Sequence, residues 1–110
     1  MSDKTVIIRR QPQSFAYLFW IEGPRRGDHA PLATAGTTIG RGREADVILD
    51  DDTVSAEQAR IRFEKGQWFL YDLASTNRTA VGGQPVVRQA LDDGDRITLG
   101  MTDMVFRVLR

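Results

Sequence analysis

Gln58-Ala59-Arg60-Ile61-Arg62-Phe63-Glu64 is the stretch on which the fold turns. Alanine, glutamate, glutamine and arginine between Thr53 and Arg62 favour helix by intrinsic propensity. The apolar residues say otherwise. Ala59, Ile61 and Phe63 alternate with Gln58, Arg60, Arg62 and Glu64, a period of two that gives one apolar and one wet face. The spacing predicts a strand from Gln58 onward. Lys65-Gly66-Gln67 then reads as a hairpin turn into a second strand, Trp68 to Leu73.

The same grammar extends in both directions. Upstream, Ser14 to Glu22 is apolar and aromatic, and its residue types favour strand. Gly23-Pro24-Arg25-Arg26-Gly27-Asp28 is a turn, Ala30 to Ala33, Thr37 to Gly40 and Val47-Ile48-Leu49 are short strands, and Asp50-Asp51-Asp52-Thr53 is a polar, solvated break. Downstream, Gly82-Gly83-Gln84-Pro85 is a turn before Val86-Val87. Asp92-Asp93-Gly94-Asp95 turns into Ile97-Thr98-Leu99, and Met104, Phe106 and Val108 alternate in a last strand. Many short strands at this spacing predict an antiparallel β-sandwich of about ten or eleven strands, with loops gathered at one end.

Composition narrows the function. The 110 residues suit one domain, with residues 1–13 read as a tail or linker holding a possible short extra strand at 5–9, and 14–110 as the domain. Fifteen basic residues balance fifteen acidic ones, so no global field draws in nucleic acid or an anionic membrane. No basic-aromatic interleaving is evident along the chain either. Cysteine is absent and His29 is the sole histidine, which argues against disulfides, thiolate chemistry and zinc. No cofactor or metal is expected. Neither a membrane-spanning apolar run nor a signal-peptide pattern is present, so the expected location is the cytoplasm.

Any anion site must then be local, and the loops supply candidates. Arg41 is a cation on the glycine-flanked turn Gly40-Arg41-Gly42. Ser55, Thr76 and Asn77 are short hydrogen-bonding side chains on two other loops. A guanidinium with convergent small donors suits a phosphorylated side chain, whose oxygens it can meet bidentately.

At these positions the chain resembles the forkhead-associated (FHA) domain family of phosphothreonine-reading β-sandwiches. The resemblance runs through Gly40-Arg41, Asp46-Val47-Ile48-Leu49-Asp50, Val54-Ser55, Asp72-Leu73-Ala74-Ser75-Thr76-Asn77, Thr79, Val81-Gly82-Gly83 and Gly94-Asp95-Arg96-Ile97-Thr98-Leu99-Gly100. It covers roughly residues 14 to 110, and the ordered set is far more specific than any one piece. It implies that Arg41 grips the phosphate, that Ser55 donates its hydroxyl to it, that Thr76 assists, and that Asn77 bonds the peptide main chain beside the phosphothreonine.

Three positions depart from the family pattern. Ala56 stands where a basic residue or asparagine is common. Gln58 replaces a structural histidine that fixes the serine loop, and glutamine can also donate and accept. Arg78 replaces a glycine of an Asn-Gly turn, which predicts a steric cost at positive φ and a cation at the rim of the site.

The expected function is recognition of a threonine-phosphorylated segment of another protein, or of the same chain, in Ser/Thr-kinase signalling. The alternative within binding is a degenerate domain making phosphate-independent protein contacts, which Ala56, Gln58 and Arg78 would favour. An enzyme is not expected: Ser55, His29 and an aspartate lack a Gly-x-Ser-x-Gly elbow, and no metal-ligand set exists. Asn77-Arg78-Thr79 matches a glycosylation sequon but lacks the secretory signal that would give it meaning.

Overall fold

The computed structural model describes residues 15–109. The tail at 1–13, its possible strand at 5–9, and Ser14 lie outside the described residues. Eleven strands follow in order: β1 (Ala16–Glu22), β2 (His29–Pro31), β3 (Thr37–Gly40), β4 (Val47–Ile48), β5 (Ala59–Glu64), β6 (Gln67–Asp72), β7 (Thr79–Val81), β8 (Gln84–Pro85), β9 (Arg88–Leu91), β10 (Arg96–Leu99) and β11 (Thr102–Val108). They form two sheets, one ordered β2-β1-β11-β10-β7-β8 and the other β4-β3-β5-β6-β9. The fold is an all-β sandwich.

Alternation drives the packing. Ala59 and Ile61 of β5 point inward with Trp68 and Leu70 of β6, and all four are buried. From the opposite sheet come Leu18, Trp20, Ile97, Leu99, Met104 and Phe106, also buried. Trp68 meets Phe106 across the interior with ring centroids 6.1 Å apart. Truncating one such aromatic to alanine costs about 3–5 kcal/mol, because the cavity collapses only in part.

Four details differ from the sequence reading. The β3–β4 pair is parallel, while every other pair is antiparallel. Gln84 and Pro85 form β8, so only Gly82 and Gly83, both at positive φ, make the turn. Strand β2 begins at His29, one residue before the predicted Ala30 to Ala33, and ends at Pro31, and the His29 ring lies 5.8 Å from that of Phe19. The break at Asp50-Asp51-Asp52 is not wholly solvated, because Asp51 is buried.

Asp51 is buried because it is needed. Its carboxylate accepts from Thr53 N at 2.9 Å and from the Thr53 hydroxyl. It also accepts from Met101 N at 3.1 Å and from the Thr102 hydroxyl at 2.8 Å. These bonds tie the β4–β5 loop to the β10–β11 turn. Gly100 sits in that turn at φ +59, and a Cβ there would lie 2.2 Å from Thr53 Oγ1. Burial pushes the Asp51 carboxyl upward, but the bonds from Thr53, Thr102 and Met101 outweigh it and hold the group below its ordinary value.

Candidate functional site

Three loops leave the same end of the sandwich: 41–46 between β3 and β4, 49–58 between β4 and β5, and 73–78 between β6 and β7. Backbone and side-chain bonds weld them into one surface.

The first two loops are joined by backbone. Arg41 N donates to Ser55 O at 2.9 Å, and Gly42 N donates to Ala56 O at 3.0 Å. This approach explains Gly40. A Cβ at Gly40 would lie 2.1 Å from Ala56 O, inside any permitted contact. The glycine is therefore required by the close approach of the facing backbone. Arg41 adds a side-chain link, with Nε donating to Val54 O at 3.0 Å. That bond fixes the stem of an exposed arginine. Its two terminal nitrogens have no hydrogen-bond partner or carboxylate among the described residues.

The second and third loops are joined through Ser55 and Asn77. Thr76 N donates to Ser55 Oγ at 3.0 Å, and Asn77 Nδ2 donates to Thr53 O at 2.8 Å. The Ser55 hydroxyl thus accepts from the protein and keeps its proton for a ligand. Ser55 is half-buried, while Thr76, Asn77 and Arg78 are exposed. The structure therefore brings Arg41, Ser55, Thr76 and Asn77 onto one loop surface, with Arg78 next in the chain.

Gln58 anchors the arrangement from below. It is fully buried. Its Oε1 accepts from Ser55 N at 2.9 Å, and its Nε2 donates to Asn77 O at 2.7 Å and to Thr79 Oγ1 at 3.1 Å. One side chain thus holds both the serine loop and the asparagine loop. The network continues, since Thr79 donates to Asp72 at 2.7 Å and Ser75 donates to the same carboxylate. Burial raises the Asp72 carboxyl, but the bonds from Ser75, Thr79 and Ala74 lower it further, below its ordinary value.

Arg78 departs from expectation. The only non-glycine residues with positive φ among those described are Lys65 and Ala74. The left-handed position of this loop is Ala74, at φ 56, and Arg78 carries no such strain. The sequence reading had placed the strain four residues too late. It also passed over Arg43, an exposed arginine on the Arg41 loop that makes no ion pair among the described residues. Its spacing two residues after Arg41 was the available signal. Among the described residues, no group of acids and histidines is arranged to hold a metal and no helix is long and apolar enough to cross a membrane.

Comparison with known proteins agrees with this geometry. The FHA domain family model matches residues 37–100. An oxoglutarate dehydrogenase inhibitor of Corynebacterium efficiens is 38% identical over 95 residues, which cover 86% of this chain and 67% of that protein. The glycogen accumulation regulator GarA of Mycolicibacterium smegmatis is 36% identical over 95 residues, covering 86% and 60% respectively. The chain thus spans 60 to 67% of the length of these two relatives. A solved FHA domain from work on phosphothreonine-dependent interactions aligns with TM-score 0.80 and 34% identity, over 87% of this chain and 98% of that one. The FhaA FHA domain, solved in complex with the intracellular domain of another protein, aligns with TM-score 0.77 and 36% identity, over 84% and 99%. On the motif series, the sandwich and these matches, the chain belongs to the FHA domain family.

Proposed function

We propose that the domain recognises a phosphothreonine-containing segment of a protein partner and makes or breaks no bond. One observation carries the reading: Arg41 is fixed through Nε to the carbonyl of Val54, the neighbour of Ser55, and its terminal nitrogens have no hydrogen-bond partner among the described residues. Those nitrogens would meet the phosphate oxygens bidentately, and the Ser55 proton would complete the cradle. The Thr76 hydroxyl would add a donor. Asn77 retains Oδ1 and one amide proton for the backbone of the bound peptide. Arg78 would add a cation at the rim.

The bonds of Gln58 support this reading over a degenerate, phosphate-independent domain. Its three bonds do the positioning work that the family assigns to a histidine. The regulatory relatives support a role in kinase signalling, in which the domain delivers or sequesters a phosphorylated partner in the cytoplasm. Titration with phosphothreonine, phosphoserine and unphosphorylated forms of a degenerate peptide set tests the proposal. The phosphothreonine set alone should bind with high affinity. Equal binding of the unphosphorylated set would return the degenerate-domain reading.

A further inference from the structure

The face of β5, β6 and β9 that points away from the core carries a feature the sequence order hides. The register sets Tyr71 opposite Arg88 and Phe69 opposite Ala90. Trp68 and Leu70 point inward, so Phe69, Tyr71 and Arg88 share the outer face. The Arg88 guanidinium lies 4.2 Å over the Phe69 ring and 5.9 Å from that of Tyr71. Arg62 lies 5.6 Å over Tyr71 and pairs with Glu64, which the Tyr71 hydroxyl also bonds. Arg88 has no carboxylate bonded to it among the described residues. A depression of about 280 Å³ lies between Glu64, Gln67, Phe69, Tyr71 and Arg88, with Lys65 at its rim. Arginine and lysine thus interleave with aromatics across strands, although they do not along the chain.

We propose that this face is a second contact surface for the phosphorylated partner and receives an acidic, extended segment continuing from the phosphothreonine. The inference rests on the reading of the loop site given above. Three observations carry it. First, Lys65 and Arg88 line the depression with Glu64 as its one carboxylate, and Glu64 is already paired with Arg62, which leaves a cationic patch on a chain of zero net charge. Second, Arg88 is oriented by stacking, so a partner carboxylate meets a guanidinium that has little freedom left to lose. Third, the face is continuous with the site. Strand β6 runs directly into the Thr76-Asn77 loop, and Asp72 N bonds Val87 O at 2.8 Å, which seats the exposed Val87 at the junction. At about 3.3 Å per strand residue, Phe69 lies roughly 10 Å before Asp72, a few extended residues of partner chain away.

Charge selects among occupants. A second copy docked about a twofold axis would set this cationic patch against itself. A nucleic acid would find no chain-wide basic field to hold it, because fifteen basic residues balance fifteen acidic ones. An acidic peptide segment meets Glu64, which stays paired with Arg62, but its tether at the phosphothreonine sets its carboxylates against Arg88.

The test uses the full chain and five phosphothreonine peptides: a short core, the core with a glutamate-rich extension on its N-terminal or on its C-terminal side, and the same two extensions with glutamine. The glutamate extension on one side should tighten binding about tenfold over its glutamine counterpart. Arg88→Glu should abolish that gain and leave the short peptide unchanged. Arg88→Lys, which keeps the charge but not the planar stack, should retain part of it. Equal binding of glutamate and glutamine extensions overturns the proposal while leaving the loop site intact. Failure of the short peptide to bind overturns both. Binding of a single-stranded oligonucleotide, or self-association, that Arg88→Glu abolishes without any preference for glutamate assigns the face elsewhere and also overturns it.

Discussion

Thr76 N donates to Ser55 Oγ at 3.0 Å, joining residues twenty-one positions apart in the chain. This bond lets the β6–β7 loop hold the serine from which the phosphate reading starts. It also orients the hydroxyl, since the lone pair that accepts from Thr76 cannot accept elsewhere. Site and fold meet in the polar network of Ser55, Gln58, Thr79 and Asp72 behind it.

Gln58→Leu should show how much that network contributes. The substitution leaves Ser55 N and Asn77 O without their partner and removes one of the two bonds of the Thr79 hydroxyl. Stability should fall by roughly 2–4 kcal/mol, measured by urea denaturation. Phosphopeptide affinity should fall further than in a core variant of equal stability cost.

Gln58→His tests whether glutamine is a compromise or a solution. A neutral imidazole offers one donor and one acceptor, so it satisfies at most two of the three bonds. We expect a loss of about 1 kcal/mol in stability. A stabilised variant would show that the histidine of the family pattern suits this loop better than the residue present.

Gly40→Ala should be among the most damaging small substitutions. The added methyl meets Ala56 O at 2.1 Å, so the Gly42-to-Ala56 bond and the register of both loops must give way. The expected cost is roughly 2–4 kcal/mol, read as a lowered melting temperature, with phosphopeptide binding impaired. A melting temperature equal to wild type would contradict the close approach.

Stability should fall in acid because Asp51 and Asp72 are both held below their ordinary value of 3.8. The unfolded chain then binds more protons than the native one, so stability rises with pH through this window. It should be fully present above about pH 5 and be lost as the pH falls below 4 through the lowered native values. Urea midpoints measured from pH 2.5 to 7 check this, and Asp51→Asn should flatten the profile.

Much of this was legible beforehand, and the remainder was hidden for physical reasons. The period of two in Ala59-Ile61-Phe63 reports β5 directly, because that strand has one buried and one exposed face. Strand β9 carries no such signal: of Arg88, Gln89, Ala90 and Leu91, only Leu91 is buried. Strands β7 and β8 are too short to show a period. The parallel β3–β4 pairing depends on a loop path that local pattern does not encode. Asp51 reads as a solvated acid because its four donors lie at Thr53, Met101 and Thr102, two of them distant in sequence. The candidate site residues could be proposed because short polar side chains cluster on loops, whereas the positive φ at Ala74 carries no residue-type signature.

Arg78 separates rim electrostatics from backbone strain. Its φ is not positive, so Arg78→Gly should relieve nothing and should destabilise slightly through the unfolded chain. Phosphopeptide affinity should drop a few-fold at low salt, with the gap closing as salt is raised. Ala74→Gly, at φ 56, is the change that relaxes this loop.

Calorimetric titration of wild type and Arg41→Ala with one phosphothreonine peptide and its unphosphorylated twin tests the central claim most directly. Wild type should bind the phosphorylated peptide alone. Arg41→Ala should lose roughly 2–4 kcal/mol of that affinity, with an unchanged circular dichroism spectrum because the side chain is exposed. Phosphopeptide binding by Arg41→Ala as tight as that of wild type would contradict the account.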